Sequence, residues 1–341
     1  YWRRWNVALT MSEAVDKNGR LFHGGTLDKA VRGYGIPRDQ WLDLSTGISP
    51  FPYPVGNLDV RAWSDLPDSN AEAALIAAAG IYYGVPELSC IVASPGTQAL
   101  IQWLPRLIPH SRVAILGPTY AEHAHCWRAA GHELNTQDLE KKLPENVDVV
   151  VAVNPNNPDG HIQSPKDLVK LVKPGRLVIV DEAFADTAPS CSVIPATGQQ
   201  GLLVLRSFGK FFGLAGIRLG FAITHQDMAN KLSNALGPWA VSGPTLEIGA
   251  KALADKNWIA KNRSRLRANA ERLDYLVKPR FGTALGGTDC FRLYAIDDMN
   301  LHSILASQGI FTRIFPENRN ILRFGIPSDD NSFKRLAKAL Y

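Results

Sequence analysis

Ser207-Phe208-Gly209-Lys210-Phe211-Phe212-Gly213-Leu214-Ala215-Gly216-Ile217-Arg218-Leu219-Gly220 is the stretch that decides how this chain is read. A lysine set among apolar residues and glycines is an awkward choice for a solvated surface. Burial lowers a lysine's pKa and leaves a nucleophilic amine, which forms Schiff bases with carbonyls. Ser207 lies three residues before Lys210 and Arg218 eight after it, and both side chains can hold a phosphate. The glycines alone would suggest a nucleotide loop, but Gly213, Gly216 and Gly220 do not fit G-x-G-x-x-G. Taken by itself, the stretch also reads as a structural lysine in a packing-driven glycine turn.

Outward from it, short apolar β-branched runs at 90–93, 112–116, 147–153, 176–180, 202–205 and 219–224 alternate with helical patterns at 97–104, 120–130 and 165–172. Runs apolar on both faces suit strands buried between helix layers, so an α/β domain with a mainly parallel sheet is predicted. After Gly237-Pro238 the texture changes. A helical region at 246–277 is followed by shorter strands at 288–294, 312–315 and 321–324 and helices at 301–308 and 332–340, an α+β pattern. The predicted division is an N-terminal segment, 1–45, packing on the small domain or the active-site mouth; a large domain, 46–237; and a smaller α+β C-terminal domain, 238–341.

The 341 residues are 45% hydrophobic and 20% charged, ordinary for a globular protein of about two domains. With 37 basic and 32 acidic residues and no block of five like charges, nucleic acid is not an expected partner, whereas a few local arginines suffice for a small anion. Cys90, Cys126, Cys191 and Cys290 are scattered without a C-x-x-C pair, so no disulfide framework or zinc site is expected. His123, His125 and Cys126 lie close together but lack a fourth ligand at usual spacing, and read as a helix face by chance. No run reaches ~18 apolar residues and the first fifteen make no signal peptide, so a cytoplasmic location without membrane attachment is expected. The first methionine is Met11, which leaves the natural start open.

Four pieces follow predicted strands, where open α/β sheets bind ligands. Ser94-Pro95-Gly96-Thr97-Gln98 is a tight turn opening a helix whose first amides can bind phosphate, although a plain cap by Thr97 looks the same. Val153-Asn154-Pro155-Asn156-Asn157-Pro158-Asp159-Gly160 is either an ordinary loop or a loop whose Asn157 amide donates to a phenolate oxygen. Val180-Asp181-Glu182-Ala183-Phe184 ends a hydrophobic strand on an acid; a pyridinium nitrogen suits it, and so does a helix cap or an ion pair. The lysine segment is the fourth. A carbonyl compound that carries a phosphate and a pyridine ring is pyridoxal 5'-phosphate (PLP).

In their order, Gly96-Thr97, Asn157, Asp181, Ser207, Lys210 and Arg218 resemble fold-type I PLP enzymes, specifically the class I/II aminotransferase superfamily. The resemblance runs from about Leu42 to Arg323. It implies that Lys210 is the catalytic Schiff-base lysine and that Asp181 pairs with the pyridine nitrogen. Asn157 would contact the ring's 3-oxygen, and Tyr120, in Gly117-Pro118-Thr119-Tyr120, would stack on the ring. Ser207, Arg218 and the amides of Gly96 and Thr97 would bind the cofactor phosphate. Arg323, in Leu322-Arg323-Phe324-Gly325, would bind a substrate carboxylate. Two positions depart from the family pattern: Phe184 replaces a tyrosine that often contacts the 3-oxygen, and Leu66-Pro67 replaces a Tyr-Pro.

Within the superfamily, His23-Gly24-Gly25 and Trp41-Leu42-Asp43-Leu44-Ser45-Thr46-Gly47-Ile48-Ser49-Pro50 resemble the threonine-phosphate decarboxylases of cobalamin (vitamin B12) biosynthesis, and after them the histidinol-phosphate aminotransferases. This likeness implies decarboxylation of L-threonine O-3-phosphate to (R)-1-amino-2-propanol O-2-phosphate, with His23, Gly47 and Arg313 joining Arg323 on a small phosphorylated amino acid. The Cα bond held perpendicular to the cofactor ring is the one weakened, so substrate orientation chooses between losing CO2 and losing a proton. An aminotransferase and a non-catalytic binding subunit of a corrinoid pathway stand as alternatives. Enzymes of this fold usually form dimers with active sites at the interface, which implies a homodimer.

Overall fold

Val149–Val153 is buried at every position, as a strand covered on both faces must be. The computed structural model of the chain describes residues 24–86, 91–138, 143–316 and 318–341. His23, expected against the substrate phosphate, and Cys90 lie outside the described residues. In chain order the described strands are β1 (Leu42–Leu44), β2 (Ile91–Ser94), β3 (Arg112–Gly117), β4 (Glu133–Asp138), β5 (Val149–Val153), β6 (Leu177–Asp181), β7 (Leu202–Ser207), β8 (Gly220–Thr224), β9 (Gly286–Thr288), β10 (Phe291–Ala295), β11 (Ile310–Ile314) and β12 (Ile321–Gly325).

The described chain divides into two compact units. One is Ile48–Arg267; the other joins the described residues up to Gly47 with Ala268–Tyr341. The sequence reading puts a boundary near residues 236–244, whereas these units part at Arg267 and Ala268. Close helix packing keeps the intervening segment with the first unit. The Ala-rich helix Ser69–Tyr83 lies against the helix Gly243–Ala254, where a Cβ on Gly249 would stand 2.7 Å from Leu75 Cδ1. The single helical run expected over 246–277 is two helices, Gly243–Ala254 and Lys256–Phe281. Asp255 interrupts them and caps the second by accepting the Trp258 N–H at 2.9 Å.

The unit Ile48–Arg267 holds a seven-stranded sheet in the order β2-β8-β7-β6-β5-β3-β4. β4, β3, β5, β6 and β7 run parallel, and β8 is antiparallel to both β7 and β2. Its core gathers Trp127, Leu100, Leu104, Ile115, Val151, Ile179 and Leu205. Because the sheet is mainly parallel, the carboxyl ends of β3, β5, β6 and β7 share one edge. Pairing of Ser94 and Ser207 with Gly220 brings the end of β2 and the start of β8 to it as well.

The second unit has a five-stranded sheet, β1-β11-β12-β10-β9, in which β1 is parallel to β11 and the other neighbours are antiparallel. Leu44, Leu273, Val277, Tyr294, Leu322, Phe324 and Leu336 fill its core. The segment before Gly47 contributes β1 and a small cluster of Leu27, Ala30 and Trp41 on Ala306.

Candidate active site

All the motif residues of the first unit lie at that shared sheet edge. β2 ends at Ser94, and Gly96 then takes a left-handed φ of 80° as the cap of the helix Thr97–Leu107. Only glycine fits: a Cβ there would stand 2.6 Å from Arg218 Nη2. A Cβ on Gly220 would likewise stand 2.5 Å from Thr97 N. Arg218 itself holds φ 57° and ψ 62°, a strained conformation for a side-chain-bearing residue, and its Nη1 donates to Ala215 O at 3.1 Å. A guanidinium and the N-terminal turn of a helix thus form one cationic corner at the Gly96 turn, but the Gly96 N–H expected to bind phosphate is already engaged, donating to Ser94 O at 2.7 Å. Buried Ser207 ends β7 directly opposite Gly220.

Asp181 ends β6 with its side chain buried. His123 Nε2 lies 2.9 Å from its Oδ2, and the Ala183 N–H donates to Oδ1 at 3.1 Å. An ionised Asp181 makes the imidazole the donor. His123 sits on the helix Ala121–Ala129, which Tyr120 caps, and the two rings meet edge to face at 6.1 Å. The Tyr120 hydroxyl donates to Gln98 Oε1 at 3.2 Å, and Gln98 Nε2 donates to Glu122 Oε2 at 2.9 Å. Burial, then the carboxylates of Glu122 and Asp181, hold the Tyr120 phenol protonated far above its usual range.

Glu182 and Arg206 stand on the opposite face of the sheet from Asp181 and Ser207, since successive strand residues alternate. Glu182 Oε2 accepts from Arg206 Nη1 at 2.9 Å and from Ser192 Oγ at 2.7 Å. Arg206 Nη2 also donates to Asp186 Oδ1 at 2.5 Å. This buried network ties the ends of β6 and β7, and with them Asp181 and Ser207.

Asn157 is half-buried in the turn after β5. Its neighbour Asn156, wholly buried, donates to Pro118 O and Asp159 Oδ1 and accepts from Thr119 Oγ1 at 2.7 Å, locking that turn to the segment leading into Tyr120. Lys210, expected to be buried, is half-buried on the short helix Phe208–Phe211, its Nζ 5.7 Å from the centre of the Phe184 ring. Phe184 thus gives the lysine an aromatic face where a tyrosine would give a hydroxyl.

In the second unit, β11 and β12 place Arg313 and Arg323 directly opposite each other. Arg323 is buried, its Nη2 donates to Ser45 O at 3.2 Å, and its guanidinium lies 4.9 Å over the Phe291 ring. Burial, then neighbouring Arg313, push its pKa down to about 9. Two facing cations at one strand pair are destabilising by themselves and suit an anionic ligand. Gly47 is buried at the end of this unit's first segment.

Sequence reasoning passed over His123, Asn156 and Gln98. The spacing of Tyr120 and His123, three apart at a helix start, was the available signal for the first. His123 and Cys126 are not fellow metal ligands: the imidazole turns to Asp181, while Cys126 Sγ donates to Glu122 Oε2 at 3.8 Å.

A family model described as aminotransferase class I and II matches residues 58–291. The chain belongs to the class I and II aminotransferase family. It is 43% identical to a threonine-phosphate decarboxylase of Pseudomonas aeruginosa, over 94% of this chain and 97% of that one. It is 41% identical to a threonine-phosphate decarboxylase of a Sinorhizobium species, with the same coverage. Its fold matches the crystal structure of histidinol-phosphate aminotransferase from Sinorhizobium meliloti, a complex with pyridoxal-5'-phosphate, with a TM-score of 0.80 and 20% identity over 92% of each chain.

PLP fits the donor set of this family member. The cationic corner at Gly96, Thr97 and Arg218 has no room for a side chain and suits a phosphate. Asp181, fixed from behind by His123, presents a carboxylate suited to a ring N–H. Lys210 carries an amine of the kind that an aldehyde would bond. Among the described residues no helix is long and apolar enough to cross a membrane.

Proposed function

We propose that this chain is a PLP-dependent lyase that decarboxylates L-threonine O-3-phosphate to (R)-1-amino-2-propanol O-2-phosphate for cobalamin assembly. The observation that carries the reading is the gathering of Lys210, the Asp181–His123 pair and the Gly96–Arg218 corner at one sheet edge. The likeness to threonine-phosphate decarboxylases over nearly the whole chain supports the choice of reaction.

When bound, PLP supplies an electron-poor ring that takes up the electron pair left at the substrate's Cα. Lys210 Nζ would hold the cofactor through its aldehyde carbon and would be the group that delivers a proton to the substrate's Cα. Asp181 would hold a proton at the ring nitrogen, and the His123 hydrogen bond keeps Asp181 aimed. Arg218, Ser207 and the Thr97 amide would bind the cofactor phosphate beside the Gly96 turn. Asn157 donates to the 3-oxygen, and Tyr120 stacks on the ring with its hydroxyl anchored by Gln98. Arg323 and Arg313, with His23 and Gly47, bind the carboxylate and phosphate of the substrate. Two separate anionic groups on one small molecule match two arginines better than one would.

The chain acts as a cytoplasmic homodimer in this reading. Val60, Trp63 and Leu66 are exposed within seven residues, and exposed Trp239 shares a cavity lining with Pro67. Exposed apolar clusters of this kind mark docking faces. One assay tests the function: PLP-loaded protein given threonine phosphate releases CO2 with no keto acid added, whereas a strict need for 2-oxoglutarate makes it an aminotransferase.

A further inference from the structure

The helix that carries Lys210 is one turn long, and Phe212 N closes it on Phe208 O at 3.4 Å. A single turn does not hold its own shape, and its last carbonyls need donors from outside. Three are supplied. Ser49 N donates to Lys210 O at 2.8 Å and Tyr53 N to Phe212 O at 2.9 Å. Between them, Asn262 Nδ2 donates to Phe211 O at 2.8 Å. The first two are main-chain groups. Asn262 is the one side chain of the three, wholly buried on the helix Lys256–Phe281.

The Asn262 amide is itself held. Arg265 Nε donates to Asn262 Oδ1 at 2.8 Å, which fixes the NH2 end toward Phe211. The Arg265 guanidinium lies 4.1 Å over the Phe51 ring and 5.5 Å over Trp258. Phe51 belongs to the same strap, 49–53, that supplies the two main-chain donors. Gly213, with φ 67°, lets that strap approach, since a Cβ there would stand 2.8 Å from Pro52 Cα. The whole assembly belongs to the unit Ile48–Arg267.

We propose that Asn262 is a positioning residue for Lys210, with Arg265 setting its amide. Asn262 touches no reacting atom. It pins the carbonyl next to the lysine and so sets the direction from which Nζ approaches a carbonyl carbon. In the capture step, Nζ forms its bond to the cofactor's aldehyde carbon, and the aldehyde oxygen leaves as water with both amine hydrogens. A loosened turn retains the amine but spreads its approach, and misplacement near 1 Å costs up to ~100-fold in such a step. The inference rests on Lys210 being the cofactor's lysine.

The test uses apoprotein of the wild type, Asn262→Leu and Arg265→Met, and two probes. The rate of PLP capture is read by stopped-flow absorbance. The affinity for pyridoxamine phosphate, which has no aldehyde for Lys210 to bond, is read by tryptophan fluorescence at a temperature where each protein is folded by circular dichroism. Asn262→Leu is expected to slow capture about tenfold and leave pyridoxamine phosphate affinity within about twofold. Arg265→Met slows capture less, in the same direction, and carries the test if the Asn262 variant does not fold. Unchanged capture rates, or loss of both readouts together, overturn the proposal. A wild type that captures no aldehyde overturns the cofactor reading as well, a result distinct from an unaffected variant.

Discussion

His123 Nε2 stands 2.9 Å from Asp181 Oδ2, and both side chains are almost wholly closed to solvent. A hydrogen bond to a buried charge contributes about 1.5–3 kcal/mol. His123→Leu should therefore weaken PLP binding roughly 10- to 100-fold in an equilibrium titration. His123→Asn, which keeps a donor, should recover part of the loss. Equal affinity in wild type and His123→Leu would remove Asp181 from the cofactor's ring nitrogen.

Gly96→Ala should cost more than its size suggests. The new methyl collides with Arg218 Nη2, and φ 80° penalises any side chain by roughly 1–2 kcal/mol. Both PLP affinity and competition by inorganic phosphate should fall, by about tenfold or more. Gly216→Ala serves as the control, because nothing lies within 4 Å of its added carbon. Loss of phosphate competition in the control alone would place the phosphate elsewhere.

Arg323 is charged in both folded and unfolded chains at neutral pH, and its folded pKa near 9 lies below the ordinary 12.5. For a cation whose folded pKa is depressed, the cost is complete below the folded value and relieved only as pH rises from about 9. At neutral pH the ligand-free fold therefore bears the cost of burying a charged guanidinium. Arg323→Met should raise the apoprotein's stability by about 2 kcal/mol in urea melts while abolishing turnover. A destabilised, active variant would contradict the role of Arg323 as an anion clamp.

Acid should act through His302. Its Nδ1 lies 2.8 Å from Thr312 Oγ1, and burial lowers its pKa below the ordinary 6.5. As pH falls below that value the unfolded chain takes up the proton first, so stability drops until the folded value is reached. Urea melts at pH 7.5 and 5 should show a smaller acid loss in His302→Gln than in wild type. An equal loss would assign the acid limb to other groups.

The sheet edge was legible because its strands are apolar on both faces and each site residue directly follows one. β4 was missed: Glu133–Asp138 reads Glu-Leu-Asn-Thr-Gln-Asp, and as an edge strand that among the described residues pairs only with β3 it needs no apolar second face. His123 was hidden for a different reason. Its partner lies 58 residues away on another strand, a contact only the fold creates. Asn262 was hidden in the same way, one of several uncharged polar residues in a charged helical run, whose amide finds Phe211 O, 51 residues away, only once two segments meet. The boundary near 236–244 rested on a change of texture, while the unit division follows the close packing around Gly249.

Labelled substrate tests the central claim most directly. PLP-loaded protein is incubated with L-threonine O-3-phosphate carrying 13C in its carboxyl group, without any keto acid. Labelled CO2 and unlabelled 1-amino-2-propanol O-2-phosphate should appear in equal amounts, and Lys210→Ala should give neither. Retention of the label in a keto-acid product, formed only when 2-oxoglutarate is supplied, would contradict the account.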